Sequence, residues 1–239
     1  MLYLIGLGLN VDGISGFGLE VLKRCKRIYL ENYTVDFPYS VGELAEVLGK
    51  KIVEADRAFV ESLEIVDEAQ KMDVALLVYG SPLTATTHIT LIDEAKKSKV
   101  RYKIIYNASI LDAVAGTGLQ LYKFGKTTSM PAWKKNFVPE SFMEVVKENQ
   151  SIGAHSLILI DIGLEFPDAL KQLEISAKNS KIKIQKLVVC QALGTKREKI
   201  LYRTLEDLRE MENVLKPYGI IIPGKMHFVE EEVLNSFCK

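Results

Sequence analysis

Short apolar runs alternate with amphipathic stretches along nearly the whole chain. LYLIGL (2–7), RIYLEN (27–32), VALLVYG (74–80) and RYKIIY (101–106) read as strands. Several are apolar at consecutive positions, the pattern of strands covered on both faces. Between them FGLEVLKRCK (17–26), VESLEIVDEAQKM (60–72) and HITLIDEAKKS (88–98) carry helical periodicity. This βαβα rhythm predicts a mostly parallel sheet with helices on both sides.

A second set follows. SLILIDI (156–162), IQKLVVCQ (184–191), KILYRT (199–204) and YGIIIPG (218–224) are strand candidates, and EVVKENQ (144–150), PDALKQLEISAK (167–178) and EDLREME (206–212) are helical. KFGKTTSMPAWKKNF (123–137) interrupts the rhythm with Gly, Pro, Thr and Ser. The expected fold class is α/β, in two α/β domains spanning 1–122 and 123–239.

Composition narrows the picture without deciding it. The 239 residues are 48% hydrophobic and 26% charged, enough for a sizeable core. Thirty-one basic residues balance thirty-one acidic ones, so no global field attracts nucleic acid or anionic lipid. No apolar run has the length of a membrane span, and MLYLIGLGLN lacks the basic region of a signal peptide. Cys25, Cys190 and Cys238 lie too far apart for a metal knuckle, and the three histidines show no ligand spacing. A cytoplasmic, reduced, metal-free protein is expected.

Chemistry gathers where strands end. The first runs into Gly6-Leu7-Gly8-Leu9-Asn10, where glycines permit a sharp turn and close approach of a ligand. In open α/β sheets, ligands sit outside the carboxyl ends of the strands. A dinucleotide would suit this turn, with Glu31 as the ribose-binding acid. The fingerprint fails, because Val11 holds the third glycine position and the helix starts late, near Gly16 or Phe17. Another strand ends in Gly80-Ser81-Pro82, with Thr86, Thr87 and His88 where the next helix begins and hydroxyls can cap it. A third ends in Asn107-Ala108-Ser109-Ile110, where Ser109 can cap in turn. Three such ends predict one rim of small, neutral polar groups.

GLGL, YGSPLTATTH, NASI, YKFGKTTS, LILIDI and PGKMHFVEEE follow in this order from Leu2 to the C-terminal helix. Together they resemble the diphthine synthase family, within the tetrapyrrole-methylase-like class of S-adenosylmethionine-dependent methyltransferases. The resemblance implies two α/β domains with the cofactor cleft between them, and a homodimer. It also implies a protein substrate, translation elongation factor 2, methylated on the amino group of a modified histidine. S-adenosyl-L-homocysteine is the implied product. Archaeal members are understood to trimethylate the amine, and eukaryotic members to add a methyl ester. Neither a nucleic acid nor a membrane enters this reading.

Carried over by position, the implied cofactor contacts are Leu9, Ser81, Thr84, Ser109 and Ile110, with Ile160, Leu193 and Tyr218 in the second half. Tyr218 replaces the histidine expected from archaeal relatives and keeps an aromatic ring for ligand contact. Ser81 departs further, since the family usually reads GDP at this turn. Losing a charge-assisted contact there predicts cofactor binding weaker by about 1.5–3 kcal/mol. The methyl group arrives already activated, so no acid–base constellation is required and no catalytic residue is assigned. Asp161 and His88 are the candidates if one exists.

Two rivals make different demands. A small tetrapyrrole substrate requires activity on a precorrin, and a dinucleotide enzyme requires NAD(H) binding. Trp133, the single tryptophan, is either an anchor packed on the core or part of a surface receiving the protein substrate. Pro223 and Gly224 are expected to end a strand, and His227 to lead into a helix whose glutamates favour its dipole.

Overall fold

The computed structural model describes residues 1–211 and 213–238. Contacts divide the chain into two compact units, Met1–Leu111 and Asp112–Lys239, a boundary earlier in the chain than the composition break near 123.

In the first unit β1 (Leu2–Gly6), α1 (Gly16–Arg24), β2 (Arg27–Glu31), α2 (Val41–Leu48) and β3 (Val53–Ala55) are followed by α3 (Arg57–Glu61) and α4 (Glu64–Lys71). Then come β4 (Val74–Val78), α5 (Ile89–Lys97) and β5 (Tyr102–Ile105). The sheet order is β3-β2-β4-β1-β5, and every pairing is parallel. Alternate residues serve opposite faces, as the pleat requires. Leu2, Leu4, Val74 and Leu76 pack with Ile65, Val66, Leu91 and Ile92 of α4 and α5. Tyr3, Ile5, Ala75 and Leu77 pack with Val21, Leu22, Leu44 and Leu48 of α1 and α2. Helices therefore cover both faces, as the consecutive apolar runs predict.

The helix expected over 60–72 is broken. Leu63 takes a left-handed conformation (φ 67°), ending α3 and starting α4, and the Ser62 hydroxyl accepts the Glu64 N–H. The short helix α6 (Ile110–Ala113) contains the unit boundary.

The second unit comprises β6 (Thr128–Met130), α7 (Ser141–Ser151), β7 (Ser156–Ile160), α8 (Phe166–Asn179) and β8 (Leu187–Gln191). These lead to β9 (Lys199–Arg203), α9 (Leu205–Arg209), β10 (Tyr218–Ile222) and α10 (Phe228–Ser236). Of the helix expected over 206–212, Glu212 lies outside the described residues. The sheet order is β6-β7-β10-β8-β9. Only β6–β7 is parallel, and the β7–β10, β10–β8 and β8–β9 pairings are antiparallel. The parallel expectation, made for the first set of strands, holds for the first sheet, while the second sheet is mostly antiparallel. The cause lies in the connections: residues 192–198 are too short to carry a parallel crossover between β8 and β9. One core joins Phe142, Met143 and Val146 of α7, Phe166, Leu170 and Leu173 of α8, and Leu208 of α9 to the sheet.

Candidate functional site

The carboxyl ends of β4, β1 and β5 are neighbours in the first sheet, so the three polar strand ends meet at one edge. Two of them are stitched together by backbone. Gly8 N–H donates to the Gly80 carbonyl (3.1 Å), and Gly80 N–H to the Gly8 carbonyl (2.9 Å). Both glycines have positive φ, 71° and 69°, which other residues rarely adopt. A Cβ on Gly6 would lie 2.6 Å from the Gly80 carbonyl oxygen. These glycines let two loops of the chain touch each other, and the amides of Gly8 and Gly80 are consumed in doing so.

Asn107 closes the third end. Its Nδ2 donates to the carbonyls of Gly6 (3.1 Å) and Gly13 (2.9 Å), and its Oδ1 accepts from Ala108 N–H (2.8 Å). A Cβ on Gly8 would fall 3.1 Å from that Oδ1. Ser109, buried at the start of α6, accepts the Leu111 N–H (3.2 Å), and Ile110 opens the helix half-buried. Leu9 is half-buried, and its carbonyl accepts the Tyr79 hydroxyl (3.1 Å). Burial pushes the Tyr79 hydroxyl well above the usual tyrosine range, which keeps it a donor. Ser81 and Thr84 are half-buried in one turn, where Thr84 N–H donates to the Ser81 carbonyl (3.1 Å).

The three polar residues ahead of α5 behave differently from a hydroxyl cap. Thr86 Oγ1 donates to the Pro82 carbonyl (2.9 Å), and His88 Nδ1 meets the same oxygen (3.1 Å). Thr87 contributes its carbonyl to Thr90, and α5 has no side-chain cap. His88 is fully buried, which places it behind the turn. Glu31 is equally buried, and accepts from the N–H groups of Tyr33 and Thr34 (both 2.9 Å) and from the Thr34 hydroxyl (2.7 Å). Its carboxylate is thereby committed to its own loop, which counts against the dinucleotide reading.

In the second unit the antiparallel register gathers the three remaining candidates at one end of the sheet. Ile160 ends β7, Tyr218 begins β10 opposite Gln191, and Leu193 follows β8 by two residues. Leu193 and Tyr218 are buried and Ile160 is partly so. The Tyr218 ring packs edge-on against Phe166 (5.6 Å between centroids), and its hydroxyl donates to the Leu164 carbonyl (3.0 Å). That ring is packed in the core, whereas the resemblance implies an aromatic ring kept for ligand contact. Asp161 is exposed, and accepts from Ile162 N–H (3.1 Å) and Ala132 N–H (3.3 Å), holding the loop after β6. Trp133 pins the following loop, with Nε1 donating to the Pro139 carbonyl (3.1 Å) and N–H to Gln172 Oε1 (2.9 Å).

The opposite end of that sheet explains the two motifs that sequence reasoning left without a role. Glu230 of α10 is fully buried. Its Oε1 accepts Gln120 N–H (2.9 Å) and His155 Nε2 (3.1 Å), and its Oε2 accepts His227 N–H (2.7 Å) and the Lys123 ammonium. His155 Nδ1 accepts Gly224 N–H (2.9 Å), which leaves the proton on Nε2. Burial alone would raise the Glu230 pKa, but the donors outweigh it and hold the value at about 2. Burial lowers His155 below its ordinary value, against the pull of Glu230. YKFG and PGKMHFVEEE are therefore joined by one carboxylate.

Among the described residues no helix is long and apolar enough to cross a membrane. The family described as Tetrapyrrole (Corrin/Porphyrin) Methylases matches residues 1–209. A Schizosaccharomyces pombe protein named diphthine methyl ester synthase is 47% identical over 165 residues, covering 68% of this chain and 58% of that protein. The chain thus matches little more than half the length of that yeast relative. Diphthine synthase of Methanocaldococcus jannaschii is 38% identical over 255 residues, covering 100% of this chain and 99% of that protein. A crystal structure of a diphthine synthase superposes with a TM-score of 0.88 at 32% identity, covering 99% of this chain and 95% of that one. The match over residues 1–209, on a fold shared with that structure, establishes that the chain belongs to the tetrapyrrole (corrin/porphyrin) methylase family.

Proposed function

We propose that the protein methylates the amino group of the modified histidine of translation elongation factor 2, with S-adenosylmethionine as methyl donor. The observation that carries this reading is the full-length similarity to a protein named diphthine synthase. The neutral rim of the first unit agrees with it. Ser81 and Thr84 carry half-buried hydroxyls, Ser109 a buried one, and Leu9 and Ile110 half-buried apolar surface. That mixture suits a nucleoside joined to an amino acid. The same proposal extends to Ile160, Leu193 and Tyr218, with Tyr218 contributing through its backbone because its ring is in the core.

S-adenosylmethionine supplies a methyl group already activated by its positive sulfur. What remains for the protein is to position the partners and exclude water. The Gly8–Gly80 bridge and the Asn107 bonds fix Leu9, Ser81 and Ser109 on one rigid edge, which is the requirement for positioning. An amine attacks only when neutral, and each transfer releases a proton. His88 is buried behind its turn, and Asp161 is engaged with two amides, so neither is offered as the acceptor. Water serves that role.

A second reading of the product is favoured by the yeast relative's name, which specifies a methyl ester. The test is mass spectrometry of elongation factor 2 carrying the aminocarboxypropyl-histidine precursor, after incubation with this protein and S-adenosylmethionine. Mass gains in whole methyl steps, stable to mild alkali, are expected for amine methylation. A step removed by alkali identifies an ester on the carboxylate. An unchanged peptide beside an active relative overturns the substrate, and activity on a precorrin would install the tetrapyrrole reading instead. A homodimer and a cytoplasmic location accompany the proposal, the former checked by sedimentation.

A further inference from the structure

The Ser81–Thr84 turn is held from behind by a side chain that has no other evident use. Pro82 has no N–H to give, and its ring is pressed against β1, with Cδ 3.1 Å from where a Cβ on Gly6 would stand. Its carbonyl meets two donors, Thr86 Oγ1 at 2.9 Å and His88 Nδ1 at 3.1 Å. A carbonyl only accepts, so the His88 proton sits on Nδ1.

The ordinary reasons for a histidine at this position do not apply. It occupies the N-cap of α5, yet its side chain makes no capping bond. It is 1% exposed, so it is not a surface group. Its Nε2 has no hydrogen-bond partner among the described residues. Burying an unpaired ring nitrogen is unfavourable, and an aliphatic side chain of similar volume would avoid that cost. What the aliphatic residue could not supply is the Nδ1–H bond to Pro82.

We infer that His88 is a positioning residue: through the Pro82 carbonyl it sets the Ser81–Thr84 turn in the geometry that receives the methyl donor. This rests on the cofactor reading above. Thr86 is the second donor to the same oxygen, so the turn is fixed by a pair of bonds that converge on one atom. The effect is on ligand affinity, because the turn carries two proposed cofactor contacts while His88 touches none.

Asparagine and glutamine separate this role from plain packing. In His88→Asn the amide nitrogen falls where Nδ1 stands, and in His88→Gln it overshoots toward Nε2. Calorimetric titration with S-adenosylmethionine should give binding within about three-fold of wild type for His88→Asn and about ten-fold weaker for His88→Gln and His88→Leu. Thr86→Val should weaken binding in the same direction. The KM for the protein substrate should stay level in all four, and thermal melting should not rank them as affinity does. If His88→Leu does not fold, the Asn and Gln pair carries the comparison. Equal affinity in Asn and Gln variants, or an order that follows melting temperature, overturns the inference alone. Wild-type protein that binds no S-adenosylmethionine overturns the cofactor reading, and this inference with it.

Discussion

The two units bring distant segments together by opposite means. At the carboxyl edge of the first sheet, β1, β4 and β5 meet because side chains are missing: Gly6, Gly8 and Gly80 let backbone touch backbone, and Asn107 fills what is left. Around α10 in the second unit, segments meet because one side chain is present. Glu230 binds Gln120, Lys123, His155 and His227 at once. The first arrangement leaves a neutral edge of hydroxyls and half-buried apolar groups. The second creates a saturated charged centre with nothing left to offer. An edge of the first kind can hold a ligand, and a centre of the second kind can only hold the fold. Sheet topology places them accordingly, since the Glu230 centre adjoins Ser156 and Ile222 while the proposed contacts Ile160 and Tyr218 lie at the other end of the same strands.

Removing the charged centre should have the largest effect. Glu230→Ala strands the Gln120 and His227 amides and the buried His155 Nε2–H, and takes the partner from Lys123. Chemical denaturation should show a loss of about 3–5 kcal/mol, the scale of breaking a buried pair. Acid sharpens the same point. With its folded pKa held at about 2 against an ordinary 4.5, Glu230 contributes about 3 kcal/mol above pH 4.5, lost as pH falls toward 2. His155 adds to it from higher pH. Its folded pKa is lowered, so stability declines once pH drops through its ordinary value of 6.5. Wild-type stability should therefore fall on acidification from neutral pH downward, and Glu230→Ala should lose the part of that fall that lies below pH 4.5. Parallel slopes in the two proteins would remove Glu230 from the account.

The glycine edge should be next. Gly6→Ala puts a Cβ 2.6 Å from the Gly80 carbonyl oxygen, a backbone atom that cannot rotate away. We expect a destabilisation of about 2–3 kcal/mol, as for overpacking in a tight interior. Gly16→Ala is the internal control. It meets nothing within 4 Å and lies at the start of α1. It should be neutral or stabilise by up to about 1 kcal/mol. Thermal melts of the two variants that shift alike would mean that the close approach of the strand ends is not what Gly6 serves.

Legibility in the sequence follows the same division. The five-residue strands of the first sheet could be read because burial on both faces makes them continuously apolar, as in Val74–Val78. β3 and β6 have three residues each, too few to display a period. α2 is announced by its cap more than by its period: Ser40 and Glu43 form a capping box in the run SVGELAEVL. The strand-end motifs located the edge of the first sheet, but its internal wiring was hidden. That Gly8 would pair with Gly80, or that Asn107 would reach Gly13, depends on contacts between residues far apart in the chain. Glu230 was hidden for a different reason. Among three consecutive glutamates at a helix start, only the one at the third helical position turns inward, and the dipole argument treats all three alike.

The finest test of the comparison adds to the first edge the feature that defines the second. Ser81→Asp places a carboxylate in the half-buried turn between Gly80 and Pro82, where the resemblance leads one to expect an acid. If the neutral edge loses affinity because it lacks a charge, the aspartate should tighten S-adenosylmethionine by roughly ten-fold, about 1.4 kcal/mol, since a half-buried site is only partly screened from water. Ser81→Asn has nearly the same shape without the charge and should leave affinity within about two-fold of wild type. Higher salt should shrink the gain from the aspartate and leave the asparagine unaffected. A tightening shared by both variants would attribute the effect to shape or a new hydrogen bond. Weaker binding in the aspartate variant alone would mean that this turn faces the carboxylate end of the ligand, and that its neutrality in this chain is an adaptation to that end.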